Sequence, residues 1–309
     1  MSLAPYTTLK AGGPADRFAL VQTPEDLSDA AAQAYLSDWP LTILGAGSNV
    51  LPADEGIAGL VLVNATQSIT LDEATGEVTV DSGLALQDLF LKCAQSGLGG
   101  IEHAVGIPGS VGGALVSNAG AYRSNLSAHL IALEIAIDGD RQWVSPDWME
   151  FSYRDSKLRR PNPPKCAILR LRLRFPKKSR SAIYDEAREY QRQRISKQPA
   201  PASAGSFFKN VIDKELAQQI AGLTDGMRES GVIPSGFLIE AVGMKGFRHG
   251  GAMFSRRHAN FMLNVAAATA TEIYELAQLA KEEVYDQYKV QLEEEVLYLG
   301  RWPHVLSGE

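Results

Sequence analysis

The segment Leu169-Arg170-Leu171-Arg172-Leu173-Arg174 alternates apolar and charged positions, the period of a strand with one buried and one polar face. Short apolar runs at 17–21, 41–44, 60–63, 78–80, 130–137, 259–264 and 295–299 predict further strands. Helical spacing appears at 84–96, where it stops at Gly97, and again at 214–220 and 236–242. Over 271–288 it places Ile273, Leu276, Ala277, Ala280 and Val284 on one stripe. Thr23-Pro24-Glu25-Asp26 reads as a helix start, with a threonine cap, proline at the first helical position and acids in the first turn. A further helix at 182–197 is highly charged and reads as exposed. Without internal repeats, this mixture predicts an α+β chain in two lobes, divided near the basic turn Pro176-Lys177-Lys178-Ser179-Arg180. The first lobe divides again, giving expected boundaries at 1–66, 67–178 and 179–309.

Length and composition narrow the class. A chain of 309 residues can bury roughly 75% of its unfolded surface, so it needs no disulfide or metal staples. Thirty Lys and Arg against 36 Asp and Glu leave a net charge of −6, which gives no basic surface for nucleic acid. An anionic ligand therefore needs a local site. The two cysteines, Cys93 and Cys166, form no CxxC or Cys/His cluster, and none of the five histidines has metal-ligand spacing with another, so no metal is expected. The start lacks a basic region followed by an apolar one, and no run approaches 18 apolar residues. The expectation is a cytoplasmic protein with no membrane insertion.

Two glycine-rich loops carry the first chemical signal. Gly45-Ala46-Gly47-Ser48-Asn49 follows a predicted strand, where consecutive N–H groups make an anion nest and Ser48 and Asn49 add side-chain donors. It lacks the Gly-Lys-Ser/Thr of a phosphate-binding Walker loop and the third glycine of a dinucleotide fingerprint. Alone it reads equally as a tight structural turn. The second loop, Gly106-Ile107-Pro108-Gly109-Ser110-Val111-Gly112-Gly113, followed by Asn118-Ala119-Gly120-Ala121-Tyr122, favours a ligand, because two such loops can clasp a dinucleotide.

These segments belong to an ordered set. Thr8-Leu9-Lys10-Ala11-Gly12-Gly13-Pro14-Ala15, the two loops, Tyr153-Arg154-Asp155-Ser156, Ala204-Gly205-Ser206-Phe207-Phe208-Lys209-Asn210, Leu238-Ile239-Glu240, Lys245-Gly246, His258-Ala259-Asn260-Phe261 and Glu295-Val296 follow one another along nearly the whole chain. Together they resemble the UDP-N-acetylenolpyruvoylglucosamine reductase family. The resemblance implies an FAD-binding half of the vanillyl-alcohol-oxidase (PCMH) type and a C-terminal α+β substrate-binding lobe. It implies non-covalent FAD, NADPH as reductant, and reduction of UDP-N-acetylglucosamine enolpyruvate to UDP-N-acetylmuramate in peptidoglycan synthesis, hence a part in cell-wall biogenesis, cell shape and division. The short basic turn after the 169–175 strand matches the shorter family type, which lacks an extra tyrosine-bearing loop. A monomer is expected.

The resemblance also assigns roles. Arg154 would hold the substrate carboxylate as negative charge grows on it, Ser206 would donate the proton, and Glu295 would stabilise the enolate, which requires a raised pKa. Each has a plainer reading: a loop arginine paired with Asp155, a turn or cap serine, and part of the acidic face Glu293-Glu294-Glu295. Cofactor contacts fall on Gly45, Ala46, Gly47, Ser48, Asn49, Gly106, Ile107, Pro108, Gly109, Ser110, Gly112, Gly113 and Gly120. Substrate contacts fall on Tyr122, Tyr153, Lys209, Asn210, Lys245 and His258, with Tyr122 also readable as core and His258 as surface. Two competing readings are an oxidase of the same fold class, often with flavin linked to His or Cys, and a nucleotide-sugar binding module. The histidines and cysteines of the first lobe, His103, His129, Cys93 and Cys166, match no attachment motif.

Overall fold

The computed structural model describes residues 1–122, 124–137, 139–200 and 202–302. The chain forms two units. The first holds Met1, Ala15–Gly47 and Ile57–Ser196; the second holds Ser2–Pro14, Ser48–Gly56 and Lys197–Glu309. Among the described residues no helix is long and apolar enough to cross a membrane.

Among its described residues the first unit contains two larger sheets and the two-stranded pair Gly120–Ala121 and Ser124–Asn125. In the parallel one, Ile57–Asn64 lies between Ala15–Val21 and Leu41–Leu44. Five antiparallel strands make the other, in the order Asp140–Val144, Leu130–Ile137, Cys166–Arg174, Glu77–Asp81, Ile69–Asp72. Helix Pro24–Leu36 starts where its signals place it, with the Thr23 hydroxyl accepting from Asp26 N–H at 3.0 Å. Its Leu27 and Ala31 pack with Leu62, Ala136, Ala167 and Leu169. The Leu/Arg alternation is interrupted in Cys166–Arg174 by a register shift between Ile168 and Arg170. That bulge turns Leu169 to one apolar cluster and Leu171 and Leu173 to another, so a single strand serves two cores. Helix Leu86–Gln95 closes the larger core with Leu89, Phe90, Cys93 and Ala94.

In the second unit, Ser203–Ser206, Phe261–Asn264, Ala252–Phe254 and Arg248–His249 form an antiparallel sheet in that order. Helix Ala270–Tyr288 opens with a capping box between Thr269 and Glu272, and its stripe Ile273, Leu276, Ala277, Ala280 and Val284 is fully buried. Strand Leu297–Leu299 runs parallel to Val50–Pro52, with Leu297 opposite Val50. The sequence pattern starts this strand at Glu295, but the structure starts it at Leu297. Glu295 stands in the bend two residues earlier, where its N–H donates to the Phe207 carbonyl and the strand ladder has not begun.

The helix Arg180–Lys197 is not the wholly exposed element its charge suggests. Ile183 and Ala187 are buried and the helix belongs to the first unit up to Ser196. Lys178, just before it, holds the buried Glu102 at 2.9 Å and also pairs with Glu186.

Candidate active site

In the first unit the two glycine loops meet. A Cβ on Gly45 would lie 2.0 Å from the Ser110 hydroxyl, so only glycine allows this approach. Gly47 takes φ +60°, the alternation of hand that makes a nest. Much of the second loop's donor capacity is used internally. Gly106 N–H donates to Gln87 Oε1 at 2.9 Å, Val111 to the Leu84 carbonyl at 2.8 Å and Gly112 to the Ser82 carbonyl at 2.7 Å. Ile107 N–H donates to the Ala104 carbonyl, and Ser110 caps the short helix Val111–Val116 by accepting from Gly113 N–H. The N–H groups of Ala46, Gly47, Gly109 and Ser110 have no acceptor among the described residues, although Gly47 and Ser110 are buried. Buried N–H groups rarely stay unpaired. Four such unanswered N–H groups on two touching loops, two of them on buried residues, fit an anionic ligand such as a diphosphate. Pro108 supplies no donor, and Gly120 is needed for its own turn, where a Cβ would meet the Ser124 carbonyl at 2.5 Å.

Tyr153 and Arg154 occupy the tip of a two-residue turn closed by the bridge between Ser152 and Asp155. Arg154 has φ +55°, a position that normally takes glycine and costs a side chain of order 1 kcal/mol. The turn is clamped from the glycine-rich segment: Asn118 Nδ2 donates to the Ser152 carbonyl at 2.7 Å, and the Ser156 hydroxyl to the Val116 carbonyl at 2.7 Å. Asp155 accepts from Arg160 Nε at 3.4 Å. The exposed Tyr153 ring lies 5.9 Å from the Arg154 guanidinium. Tyr122 is not core. It is 42% exposed, at φ +54°, and stacks on Tyr190 with ring centroids 4.2 Å apart.

The second unit brings Ser206 and Glu295 to adjacent chain segments. Ser206 ends a strand opposite Phe261, and the chain continues as a bridge between Phe208 and Glu294. Glu295 N–H donates to the Phe207 carbonyl and Lys209 N–H to the Glu293 carbonyl, both at 2.8 Å. On the other side, the buried Asn260 replaces a strand: Oδ1 accepts from Phe208 N–H at 2.9 Å and Nδ2 donates to the Phe208 carbonyl at 2.8 Å. Ser206 is therefore neither a helix cap nor in a turn. Its hydroxyl has no partner among the described residues, and Gly205, at φ +78°, faces open space. Asn49 Nδ2 donates to the Glu295 carbonyl at 3.1 Å, so this side chain fixes the backbone of the acid.

Around this strand, Lys209 pairs with Glu293 and Lys245 with Glu240 at 2.7 Å. Asn210 Oδ1 accepts from Ser235 N–H at 3.3 Å. His258 is half-buried, unlike its exposed neighbours Arg256 and Arg257. Its Nδ1 accepts from Asn260 N–H at 3.3 Å, so Nε2 carries the proton when the ring is neutral. Burial lowers its pKa, which keeps it a neutral donor.

Some contributors carried no signal that marked them in the sequence. Asn64, Ser82 and Gly83 form a buried polar corner beneath the second loop: Asn64 Nδ2 donates to Ser82 Oγ at 2.8 Å, and Ser82 Oγ to the Ile168 carbonyl at 2.6 Å. Arg194 and Tyr190 reach the glycine-rich segment from a helix whose charged sequence concealed them. Among the residues considered for covalent attachment, burial raises Cys93 to about 12 and Cys166 to about 11, and lowers His103 to about 4. Thiols held this far above neutrality are poor nucleophiles. Among the described residues no cluster of His, Cys, Asp and Glu could hold a metal ion.

Comparison with known proteins agrees with this layout. A family model described as an FAD binding domain matches residues 15–143, and one for the C-terminal domain of UDP-N-acetylenolpyruvoylglucosamine reductase matches residues 196–299. The chain is similar to the UDP-N-acetylenolpyruvoylglucosamine reductases of Thermotoga maritima, 37% identical over 95% of each chain, and of Bacillus velezensis, 34% identical over 96% of this chain and 92% of that one. Its fold is similar to the crystal structure of the Thermus caldophilus reductase, with a TM-score of 0.77, 34% identity and 97% of each chain covered. With such identity sustained along nearly its whole length, the chain belongs to the UDP-N-acetylenolpyruvoylglucosamine reductase family.

Proposed function

We infer that this protein is an NADPH-dependent flavoprotein that reduces UDP-N-acetylglucosamine enolpyruvate to UDP-N-acetylmuramate, a step of peptidoglycan precursor synthesis. The observation that carries the reading is family membership over nearly the whole chain together with a serine whose hydroxyl is unengaged beside the segment of Glu295. FAD would be held non-covalently by the N–H groups of Ala46, Gly47, Gly109 and Ser110. Bound there, FAD would supply the hydride chemistry that links NADPH to the terminal methylene carbon of the enolpyruvyl group.

The chain's own residues handle the charge and the proton. Negative charge develops on the carbon next to the attacked one and spreads into the carboxylate. Arg154, a permanent cation suited to bidentate pairing, holds that carboxylate; its strained φ fixes the direction of approach. Ser206 gives its hydroxyl proton to the carbanionic carbon, a transfer that runs downhill because the carbon is the stronger base. Lys209, three residues on, eases the transient alkoxide. Glu295 stabilises the enolate as a protonated or proton-sharing carboxyl, which calls for a raised pKa. Lys245, Asn210 and neutral His258 contact the substrate diphosphate and sugar, and Lys245 exchanges its Glu240 partner for phosphate oxygen. Tyr122 and Tyr153 offer exposed aromatic faces. The substrate and the reductant are soluble nucleotides, which supports a cytoplasmic location.

A cysteine-linked flavin, one form the oxidase alternative takes, is disfavoured by the burial of Cys93 and the high pKa of both thiols. The deciding experiment is product analysis in deuterium oxide. The reading expects UDP-N-acetylmuramate with solvent deuterium on the carbon bearing the carboxylate, formed in an amount that matches the NADPH consumed. Consumption of NADPH with hydrogen peroxide as the only product would replace it with the oxidase.

A further inference from the structure

Helix Arg180–Lys197 carries three arginines on its later turns, and they differ in their surroundings. Arg188 pairs with Asp185 at 3.2 Å and Arg192 with Glu189 at 4.0 Å, both in solvent. Arg194 is half-buried and has no carboxylate partner among the described residues. Nη2 donates to the His103 carbonyl at 2.9 Å, and Nε is buried with no acceptor among the described residues. Its stem lies on the second glycine loop, where a Cβ on Gly106 would be 3.6 Å from the Arg194 Cδ. The Tyr122 ring, 5.8 Å from the guanidinium, gives only a weak cation–π contact.

A guanidinium taken out of water normally has an anion to answer it, and burial alone disfavours its charge here. The side chain borders the loop whose Gly109 and Ser110 N–H groups also lack acceptors among the described residues. Two independent sets of unanswered donors, one cationic and one backbone, converge on the same loop. We propose that Arg194 is a phosphate-binding residue, donating to a phosphate oxygen of a nucleotide held at the second glycine loop. The inference rests on the nucleotide-dependent reading of this unit. Flavin diphosphate, the reductant and the nucleotide sugar all present the same chemistry, and the test separates them.

The test uses full-length protein with Arg194→Met, which keeps the stem and removes the donors, and Arg194→Lys, which keeps the charge. Flavin affinity is measured by fluorescence quenching on flavin-depleted protein. NADPH and substrate affinities follow at saturating flavin, and thermal unfolding is recorded without ligand. Loss of one charge-assisted hydrogen bond weakens a single ligand roughly ten- to hundredfold in Arg194→Met and less in Arg194→Lys. A loss confined to FAD assigns the flavin diphosphate, one confined to NADPH the reductant, and one confined to substrate the nucleotide sugar. The ligand-free unfolding temperature of Arg194→Met should be unchanged or higher, because an unanswered buried charge has been removed. All three affinities within twofold of wild type overturn the inference. So does a lower ligand-free unfolding temperature with equal affinity losses in both variants, which would make the residue structural. A wild-type chain that binds no flavin would instead sink the functional reading itself.

Discussion

Asn260 is the position where one side chain decides the geometry of the proposed proton donor. Phe208 lies in an extended segment whose neighbours pair with Glu293 and Glu295 on one side, while its own N–H and C=O point to the other. There, among the described residues, both groups are answered by the Asn260 amide, at 2.9 and 2.8 Å, with Phe208 1% and Asn260 3% exposed. Asn260→Ala leaves a buried donor and a buried acceptor unpaired. At about 1–3 kcal/mol for each, with some relaxation, the loss is about 2–4 kcal/mol. Asn260→Asp keeps the acceptor for Phe208 N–H but sets a carboxylate oxygen against the Phe208 carbonyl. Its folded pKa is then raised, so its penalty should be smallest at low pH and grow as pH rises from about 4, where the unfolded carboxyl ionises. Urea unfolding followed by circular dichroism measures the stability, and anaerobic rapid mixing measures each half-reaction. The expected result is a lower midpoint for both variants, an almost normal rate of flavin reduction, and slower reoxidation by substrate. An Asn260→Ala protein within about 0.5 kcal/mol of wild type, the range of an ordinary surface change, would show that the amide does not hold this segment.

Ser206→Ala should leave reduction by NADPH intact and slow reoxidation by substrate about 10²–10⁴-fold, whereas Ser206→Cys keeps part of the activity because a thiol can donate; equal reoxidation rates for Ser206→Ala and wild type would remove the serine from the proton step. Gly45→Ala places a Cβ 2.0 Å from the Ser110 hydroxyl but 3.0 Å from its Cβ, so flavin retention should fall in the single variant and recover partly in Gly45→Ala/Ser110→Ala, read by flavin absorbance after gel filtration. His103, buried and held neutral, has its pKa lowered from 6.5 to about 4. The unfolded chain binds a proton that the fold refuses, so stability is full above pH 6.5 and falls by up to about 3 kcal/mol as pH drops towards 4. His103→Gln should flatten this part of the stability–pH curve, and an unchanged curve would show that His103 does not cause it.

Local signals located most elements. The strand over Leu130–Ile137 coincides with its apolar run, and helices Pro24–Leu36 and Ala270–Tyr288 lie where the Thr23 cap and the buried stripe put them. Elements fixed by distant partners were not legible. Val50–Pro52 is three residues long and is a strand because Leu297–Leu299 lies beside it. Val111–Val116 is helical despite Gly112 and Gly113, residues of low helix propensity, because Ser110 caps it and Ser82 and Leu84 take its first N–H groups. The bulge near Leu169 has no trace in a regular Leu/Arg alternation, since packing on two cores selects it. Of the candidate site, motif resemblance supplied Arg154, Ser206 and Glu295, and glycine content supplied the loops. Arg194 was hidden because an arginine on a polar helix reads the same whether it faces solvent or a glycine loop. Asn260 was visible as part of a motif, but not as the substitute for a strand.

One flavin should pass electrons from NADPH to the enolpyruvyl nucleotide sugar, and anaerobic stopped-flow absorbance of the oxidised flavin follows both steps, with NADPH added first and the nucleotide sugar second. The flavin should bleach on the first addition and regain its colour on the second, without oxygen. Bleaching that only oxygen reverses would contradict this transfer, leaving a flavoprotein of this fold with a different electron acceptor.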